Sequence, residues 1–156
     1  PGWWCALLTS KITAKENLVT RPRVLLADDH KEVCDIVVRL LTPEFEVVGV
    51  VQDGRQLLSA ESDVLPDVCV IDISMPGMCG IEAARMLKAR GSKAEIVFLT
   101  VHDDPDFVRA ALELGALGYV MKSRIASDLA TAIRAALIGG SFISPSQELR
   151  TDGRVR

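Results

Sequence analysis

Short apolar runs alternate with amphipathic stretches along the chain from Arg23 onward. Most of these runs are continuously apolar, which is typical of strands that helices cover on both faces of a sheet. The predicted strands are 24–27, 45–51, 68–71, 96–99 and 118–121. Strands that alternate with helical patterns favour an α/β fold built on one parallel sheet.

Helical periodicity fills the segments between the predicted strands. The first helix has apolar residues at i, i+3, i+4, i+7 and i+8 from Val33 to Leu41, and Pro43 ends it. Further helices are predicted over 55–62, 80–89, 106–114 and 125–138. Because crossovers between parallel strands are right-handed, the carboxyl ends of all strands meet at one edge of the sheet, where we look for function.

The length of 156 residues and a hydrophobic fraction of 49% fit one domain with short flanking segments. We assign residues 21–145 to that domain. Residues 1–20 are an N-terminal extension, either docked through one helical stripe, disordered, or added to the native chain. Residues 146–156 are polar and are interpreted as a C-terminal tail or the start of a linker.

Charge and cysteine content exclude several functions. The net charge of −3 gives no positive field for nucleic acid or an anionic membrane, and no apolar run is long enough to span a bilayer. The cysteines form no CxxC pair, so a zinc site is not expected. Cys34 and Cys69 lie in apolar runs, as small hydrophobic residues do in a reducing compartment, and we expect a cytoplasmic protein.

The residues that follow four of the five predicted strands form a candidate set for chemistry. Strand one runs into Asp28 and Asp29, strand three into Asp72, strand four into Thr100 and strand five into Lys122. Taken alone, Asp28 or Asp29 could merely cap the following helix, as acids at a strand-to-helix junction commonly do, and Asp72 could be a loop carboxylate. Together, the residues place three carboxylates, a hydroxyl and an ammonium at one edge of the sheet.

Three close carboxylates raise one another's pKa unless a cation compensates them. Oxygen ligands that leave room for water and a phosphoryl oxygen suit Mg²⁺. The formal charges of three carboxylates, Mg²⁺ and Lys122 cancel, so such a pocket accepts a phosphoryl group. Asp72 stands alone after the most central strand, which favours it as a nucleophile that forms an aspartyl phosphate. Lys122 and Thr100 would then contact phosphoryl oxygens.

These residues, together with Met75-Pro-Gly-Met-Cys-Gly80 and Gly115-Ala-Leu-Gly-Tyr119, resemble the receiver domain of two-component response regulators over about 21–145. Asp28-Asp-His30, Gly118-Tyr-Val-Met-Lys122 and Gly140-Ser-Phe-Ile-Ser-Pro145 further resemble the NarL/LuxR-type subfamily. The resemblance implies a flavodoxin-like doubly wound (βα)5 fold with a five-stranded parallel sheet of order 2-1-3-4-5, an order for which receivers are a standard example.

The resemblance also implies roles for single residues. Asp72 would accept a phosphoryl group from a sensor histidine kinase. Asp29 and Asp72 would hold Mg²⁺ directly with the backbone carbonyl of Ser74, while Asp28 would reach it largely through water. Lys122 would stabilise the phosphoryl group, and Thr100 and Tyr119 would form the switch that responds to it.

Some positions depart from the family pattern. Val101 stands where a small residue is common, and with Ser74 and His102 it is a candidate for modulating reaction rates. His30 and His102 are otherwise expected to be solvent-facing loop residues. No helix-turn-helix segment follows Pro145 within this sequence, so we expect no nucleic-acid binding by this chain itself. Either transcriptional output passes through a DNA-binding domain that is absent here, or the protein works as a lone receiver. A homodimer through the first and fifth helices is implied by the resemblance.

Two other functions stay open. A phosphate-independent interaction module would keep the fold without using the acidic site. A Mg²⁺-dependent phosphohydrolase of the dehalogenase type would carry Asp-x-Asp after strand one, whereas this chain has adjacent aspartates and no large cap insertion. We therefore expect no enzymatic activity toward external substrates beyond self-phosphorylation and autodephosphorylation.

Overall fold

A computed structural model describes residues 20–145. Apart from Thr20, the predictions for residues 1–20 and 146–156 fall outside this range. The strands are β1 Arg23–Ala27, β2 Glu46–Val51, β3 Val68–Asp72, β4 Glu95–Thr100, β5 Gly118–Met121 and β6 Phe142–Ile143. The helices are α1 Lys31–Leu41, α2 Gly54–Val64, α3 Gly80–Ala89, α4 Pro105–Glu113 and α5 Ala130–Leu137.

The strands form one parallel sheet in the order β2-β1-β3-β4-β5-β6. The predicted flavodoxin-like fold and the order of its first five strands are therefore confirmed. The sequence analysis did not anticipate β6, which pairs Phe142 with Gly118 and Ile143 with Tyr119 and extends the sheet beyond β5.

Apolar side chains of the sheet point alternately into two cores, one on each face. Leu25, Ile71 and Phe98 pack under α2, α3 and α4, while Leu26 and Val97 pack under α1 and α5. All five of these side chains have 0% exposure. Cys34 and Cys69 are buried in these cores, as predicted, and burial raises the pKa of the Cys69 thiol to about 12.

The end of the domain differs from the single predicted helix over 125–138. A 3₁₀ turn covers Lys122–Arg124, a π-helical turn covers Ile125–Leu129, and α-helical geometry begins only at Ala130. The chain therefore leaves β5 through two irregular turns before α5, one tighter and one wider than an α-helical turn. Among the helices of residues 20–145, we find none with the length and hydropathy needed to cross a bilayer.

Candidate phosphoacceptor site

The carboxyl edge of the sheet brings together residues from β1, β3 and β5. Asp28 and Asp29 follow β1 directly, Asp72 is the last residue of β3, and Lys122 follows β5. The Lys122 Nζ atom lies 3.1 Å from Asp72 Oδ2, to which it donates a hydrogen bond, and 2.8 Å from Asp28 Oδ2. The expected meeting of carboxylates and ammonium at this edge is thus present.

The loop after β3 fixes the carboxylate of Asp72. The Gly80 N–H donates to the carbonyl of Ile73 at 2.8 Å, and a Cβ atom on Gly80 would lie 2.1 Å from the carbonyl oxygen of Asp72. Only glycine fits such a close approach of α3 to the strand end. The N–H of Ser74 donates to Asp72 Oδ1 at 3.2 Å, which orients the carboxylate.

Asp28 is fully buried, with 0% exposure, and only one of its carboxylate oxygens is hydrogen-bonded. Its Oδ1 accepts the N–H of His30 at 2.8 Å. The other oxygen, Oδ2, accepts no hydrogen bond of regular geometry, but it forms an ion pair with the ammonium of Lys122, whose Nζ lies 2.8 Å away. The N-cap of α1 is His30, so neither Asp28 nor Asp29 occupies the N-cap position.

The donor set fits a small divalent cation. Ligand atoms of Asp28, Asp29, His30 and Asp72 all lie within 4.8 Å of one another. Carboxylate oxygens are ligands that Mg²⁺ prefers, and the 33% exposure of the Asp29 side chain leaves the cluster open to the water that Mg²⁺ retains. The buried Oδ2 of Asp28, which has an ion pair with Lys122 but no regular hydrogen bond, is an acceptor that this cation or its water would also satisfy.

The surroundings of Asp72 and Lys122 shift the pKa values of both side chains. Burial and the charge of Asp28 raise the pKa of Asp72, and Lys122 offsets this only in part. Burial by itself would lower the pKa of Lys122, but the carboxylates of Asp28 and Asp72 outweigh it and raise that pKa. The ammonium is therefore firmly protonated at neutral pH, while the buried carboxylates lack a full set of counter-charges.

Thr100, the last residue of β4, connects the site to Tyr119 through one loop residue, His102. The buried hydroxyl of Thr100 accepts the N–H of His102 at 3.1 Å. The hydroxyl of Tyr119, which is only 2% exposed, donates to the carbonyl of His102 at 2.5 Å. Burial, with Asp103 and Asp104 nearby, raises the pKa of Tyr119 to about 12. The two predicted switch residues thus hold the backbone of His102 on either side of its Cα atom.

The prediction that His102 faces solvent is wrong, and that for His30 is incomplete. The imidazole of His102 is half-buried: its Nε2 lies 2.5 Å from Ser74 Oγ, and its ring stacks at 4.8 Å on Phe107. The side chain of His30 is 59% exposed, yet its Nδ1 lies 3.2 Å from Asp29 Oδ1. Its position directly after two aspartates was the only sequence signal for this contact. Val101 is 64% exposed.

Comparison with known proteins identifies the family of this chain. Residues 24–134 match the family model described as response regulator receiver domain. The chain therefore belongs to the receiver domains of two-component response regulators. Its similarity to regulators of the NarL and LuxR type places it more narrowly among receivers of that subfamily. Receiver domains are generally signal transducers rather than enzymes, they interact with histidine kinases, and they bind Mg²⁺ at an acidic pocket.

Two curated relatives and two solved structures show the extent of the similarity. The chain is 38% identical to the transcriptional regulatory protein LiaR of Bacillus subtilis over 135 residues, covering 85% of this chain and 62% of that protein. It is 36% identical to the transcriptional regulatory protein DegU of Brevibacillus brevis over 125 residues, covering 79% and 53% respectively. This chain thus spans less than two thirds of either relative.

Among solved structures, a LuxR-family two-component response regulator from Aurantimonas sp. SI85-9A1 superimposes with a TM-score of 0.76 at 32% identity, covering 88% of this chain and 100% of that one. The signal receiver domain of the putative response regulator NarL from Mycobacterium tuberculosis gives a TM-score of 0.67 at 30% identity, covering 74% and 98% respectively. The similarity in both sequence and fold covers the whole receiver region.

Proposed function

We propose that this receiver accepts a phosphoryl group on Asp72 from a sensor histidine kinase and thereby changes its protein contacts. The observation that carries the proposal is the contact between Lys122 Nζ and Asp72 Oδ2 at 3.1 Å inside a cluster of three carboxylates. A carboxylate at the end of a buried strand, with an ammonium beside it, is arranged for nucleophilic attack on phosphorus rather than for stability.

In this proposal, an oxygen of the Asp72 carboxylate attacks the phosphorus of a phosphohistidine. The P–N bond breaks, the imidazole leaves with the electron pair, and an aspartyl phosphate forms. Asp29, Asp72 and the Ser74 carbonyl would hold Mg²⁺, with Asp28 acting largely through water. When bound, Mg²⁺ supplies charge that balances the phosphoryl oxygens. Lys122 stabilises a phosphoryl oxygen, and Thr100 donates a hydrogen bond to another.

The switch follows from the position of Thr100. Its hydroxyl holds the His102 N–H, and a turn of that hydroxyl toward a phosphoryl oxygen would release or pull this peptide. The Tyr119 hydroxyl, bonded to the carbonyl of the same residue, would respond. The bias required to shift such a two-state loop is only a few kcal/mol. We propose that Ser74, Val101 and His102, next to the site, modulate the phosphorylation and dephosphorylation rates.

The output proposed for the whole protein is control of transcription through a DNA-binding domain outside this chain. Curated relatives that extend beyond the matched region are named transcriptional regulatory proteins. The same proposal includes a homodimer through α1 and α5 and a cytoplasmic location. It also restricts the chemistry of the chain to self-phosphorylation and autodephosphorylation.

The test is incubation of the full chain with acetyl phosphate and Mg²⁺, followed by intact mass and mapping of the modified residue. We expect addition of one phosphoryl group at Asp72, stable in acid and labile in base, and no addition in Asp72→Ala. Asp106→Ala, which removes an exposed aspartate on α4, serves as the matched control and should react normally. No reaction would favour a phosphate-independent module, and rapid turnover of unrelated phosphoesters would favour a phosphohydrolase.

A further inference from the structure

A second buried carboxylate, Asp128, collects hydrogen bonds just beyond the site. It is only 4% exposed. Its Oδ2 accepts from Arg124 Nε at 2.7 Å and from Ser144 Oγ at 2.6 Å, and its Oδ1 accepts from Ser127 Oγ at 2.8 Å and from Arg124 at 3.3 Å. Burial works against the charged form, but these donors outweigh it and lower the pKa of Asp128. The proposed function gives this carboxylate no role.

Ser144 connects Asp128 to both strands at this side of the sheet. While its hydroxyl donates to Asp128, its Oγ also accepts the N–H of Met121 at 3.1 Å. Its own N–H donates to the carbonyl of Tyr119 at 2.8 Å. One side chain therefore ties the end of β5 to the end of β6, at a point only 5% exposed to solvent.

These contacts hold the backbone on both sides of Lys122. Met121, held by Ser144, is the residue immediately before the lysine, and Arg124, held by Asp128, lies two residues after it. From Lys122 to Leu129 the chain follows a 3₁₀ turn and then a π-helical turn, neither of which is favoured by backbone hydrogen bonding alone. Side-chain bonds to a buried charge are a physical reason for this geometry to persist.

We propose that Asp128 and Ser144 are positioning residues for Lys122. They hold its ammonium beside Asp72, and they couple the position of the lysine to the end of the domain at Pro145. This inference rests on the proposed function, since it concerns how the phosphoryl group is held. The coupling is reciprocal: a group that draws Lys122 toward Asp72 tightens the bonds at Met121 and Ser144, and loosening of those bonds weakens the hold on the group.

The test uses the full chain with Mg²⁺ and beryllium trifluoride, which occupies the place of a phosphoryl group on a carboxylate. We expect Ser144→Ala and Asp128→Asn each to weaken beryllofluoride binding by about threefold to tenfold, the range of one or two lost hydrogen bonds. In a Lys122→Ala background, the same substitutions should have no further effect, because their influence passes through the lysine. In the single variants, the ¹⁹F NMR resonance of the bound fluorine atom beside the Lys122 ammonium should shift.

Ser92→Ala is a closely matched control. The hydroxyl of Ser92 donates to the buried Glu61 carboxylate at 2.6 Å and accepts the N–H of Ala94 at 3.2 Å, the same chemistry as Ser144 at the opposite edge of the sheet. It should leave beryllofluoride affinity unchanged. The inference is overturned if Ser92→Ala weakens binding as much as Ser144→Ala, if neither Ser144→Ala nor Asp128→Asn weakens binding, or if their losses persist undiminished without Lys122.

Hydrogen exchange of the unmodified chain tests the same coupling without any substitution. Beryllofluoride should slow exchange of the Met121 and Ser144 amides by at least about threefold, as expected for bonds that open less often. The Ala94 amide should not change. Unaltered exchange at both Met121 and Ser144 would overturn the inference, while a chain that takes up no beryllofluoride at Asp72 would overturn the proposed function and this inference with it.

Discussion

Carboxylates lie at both edges of the sheet, at the amino edge where the strands begin and at the carboxyl edge where they end. The two edges differ in the partners that these carboxylates have. At the amino edge, Glu61 accepts from Ser92 Oγ at 2.6 Å and Asp67 accepts the N–H of Arg23 at 2.8 Å, so each carboxylate has its own donor. At the carboxyl edge, Asp28 and Asp72 share the ammonium of Lys122, and one oxygen of Asp28 has no hydrogen-bond partner. The first arrangement stabilises the fold, and the second leaves capacity to bind a cation and a phosphoryl group.

The largest effect is expected when the shared ammonium is removed. Lys122→Ala leaves two buried carboxylates without compensation, so the free energy of unfolding should fall by about 3 kcal/mol in EDTA. Millimolar Mg²⁺ should restore part of it, because the cation replaces the lost charge. Urea unfolding at pH 7 measures both quantities.

Arg134→Ala is the control for removal of a cation elsewhere. It breaks the exposed pair with Glu44, which lies 2.7 Å away, and should cost under about 1 kcal/mol with no dependence on Mg²⁺. If Lys122→Ala lowers the free energy of unfolding no more than Arg134→Ala does, the carboxylates at the carboxyl edge do not depend on the ammonium of Lys122 for compensation.

A smaller effect is expected at the amino edge, where Ser92→Ala removes the donor to Glu61. An unpartnered buried acceptor should lower the free energy of unfolding by about 1–2 kcal/mol. The increase in stability produced by Mg²⁺ should equal that of the unmodified chain, since within residues 20–145 the cluster of potential metal ligands lies at the other edge. A variant that loses its response to Mg²⁺ would show that the two edges are not independent.

A gain in stability is expected from Asp72→Asn. Because the folded pKa of Asp72 lies above its ordinary value, the folded chain holds this proton more tightly, and the native state loses stability as pH rises through that window. Asparagine cannot ionise, so the variant should be more stable than the unmodified chain at pH 7. The difference should vanish below the ordinary carboxyl pKa.

Melting temperatures of both chains from pH 3 to 7 in EDTA measure this difference. The raised pKa of Lys122 contributes equally across that range, since the ammonium stays protonated throughout. Asp106→Asn, at a side chain that is 82% exposed, should show no such pH dependence. A loss of stability at pH 7 in Asp72→Asn would mean that attraction to Lys122 outweighs burial.

Much of the carboxyl edge was predictable because strand ends are encoded locally. Strand β5 and helix α3 have the predicted bounds, and the residues that follow the strands meet where parallel strands must end together. The two-residue β6 was not predictable, because Phe142 and Ile143 are too few for a periodic signal. The apolar spacing of Ile125 and Leu129 suits an α-helix as well as a π-turn, so periodicity missed the irregular turns.

The amino edge and the partners of His102 depend on side-chain contacts between distant segments. Glu61 and Ser92 are 31 residues apart, and Ser74 and His102 are 28 apart. No pattern within a single helix or strand constrains such pairs, because each depends on how whole elements pack. The class of site could therefore be predicted from the sequence, whereas the hydrogen bonds that tune it could not.

The smallest effect is expected from Ser74→Ala, which removes the hydroxyl 2.5 Å from His102 Nε2 and leaves the Ser74 N–H bond to Asp72 in place. Without this partner the imidazole is no longer held beside Ser74, whose N–H bonds Asp72, so we expect water to reach the phosphoryl group sooner. We expect the lifetime of Asp72 phosphate to shorten by about threefold, with stability changed by less than about 0.5 kcal/mol. Ser123→Ala, an exposed serine next to Lys122, is the control. Equal shortening in both variants, or a longer lifetime in Ser74→Ala, would show that the His102 contact does not limit access of water.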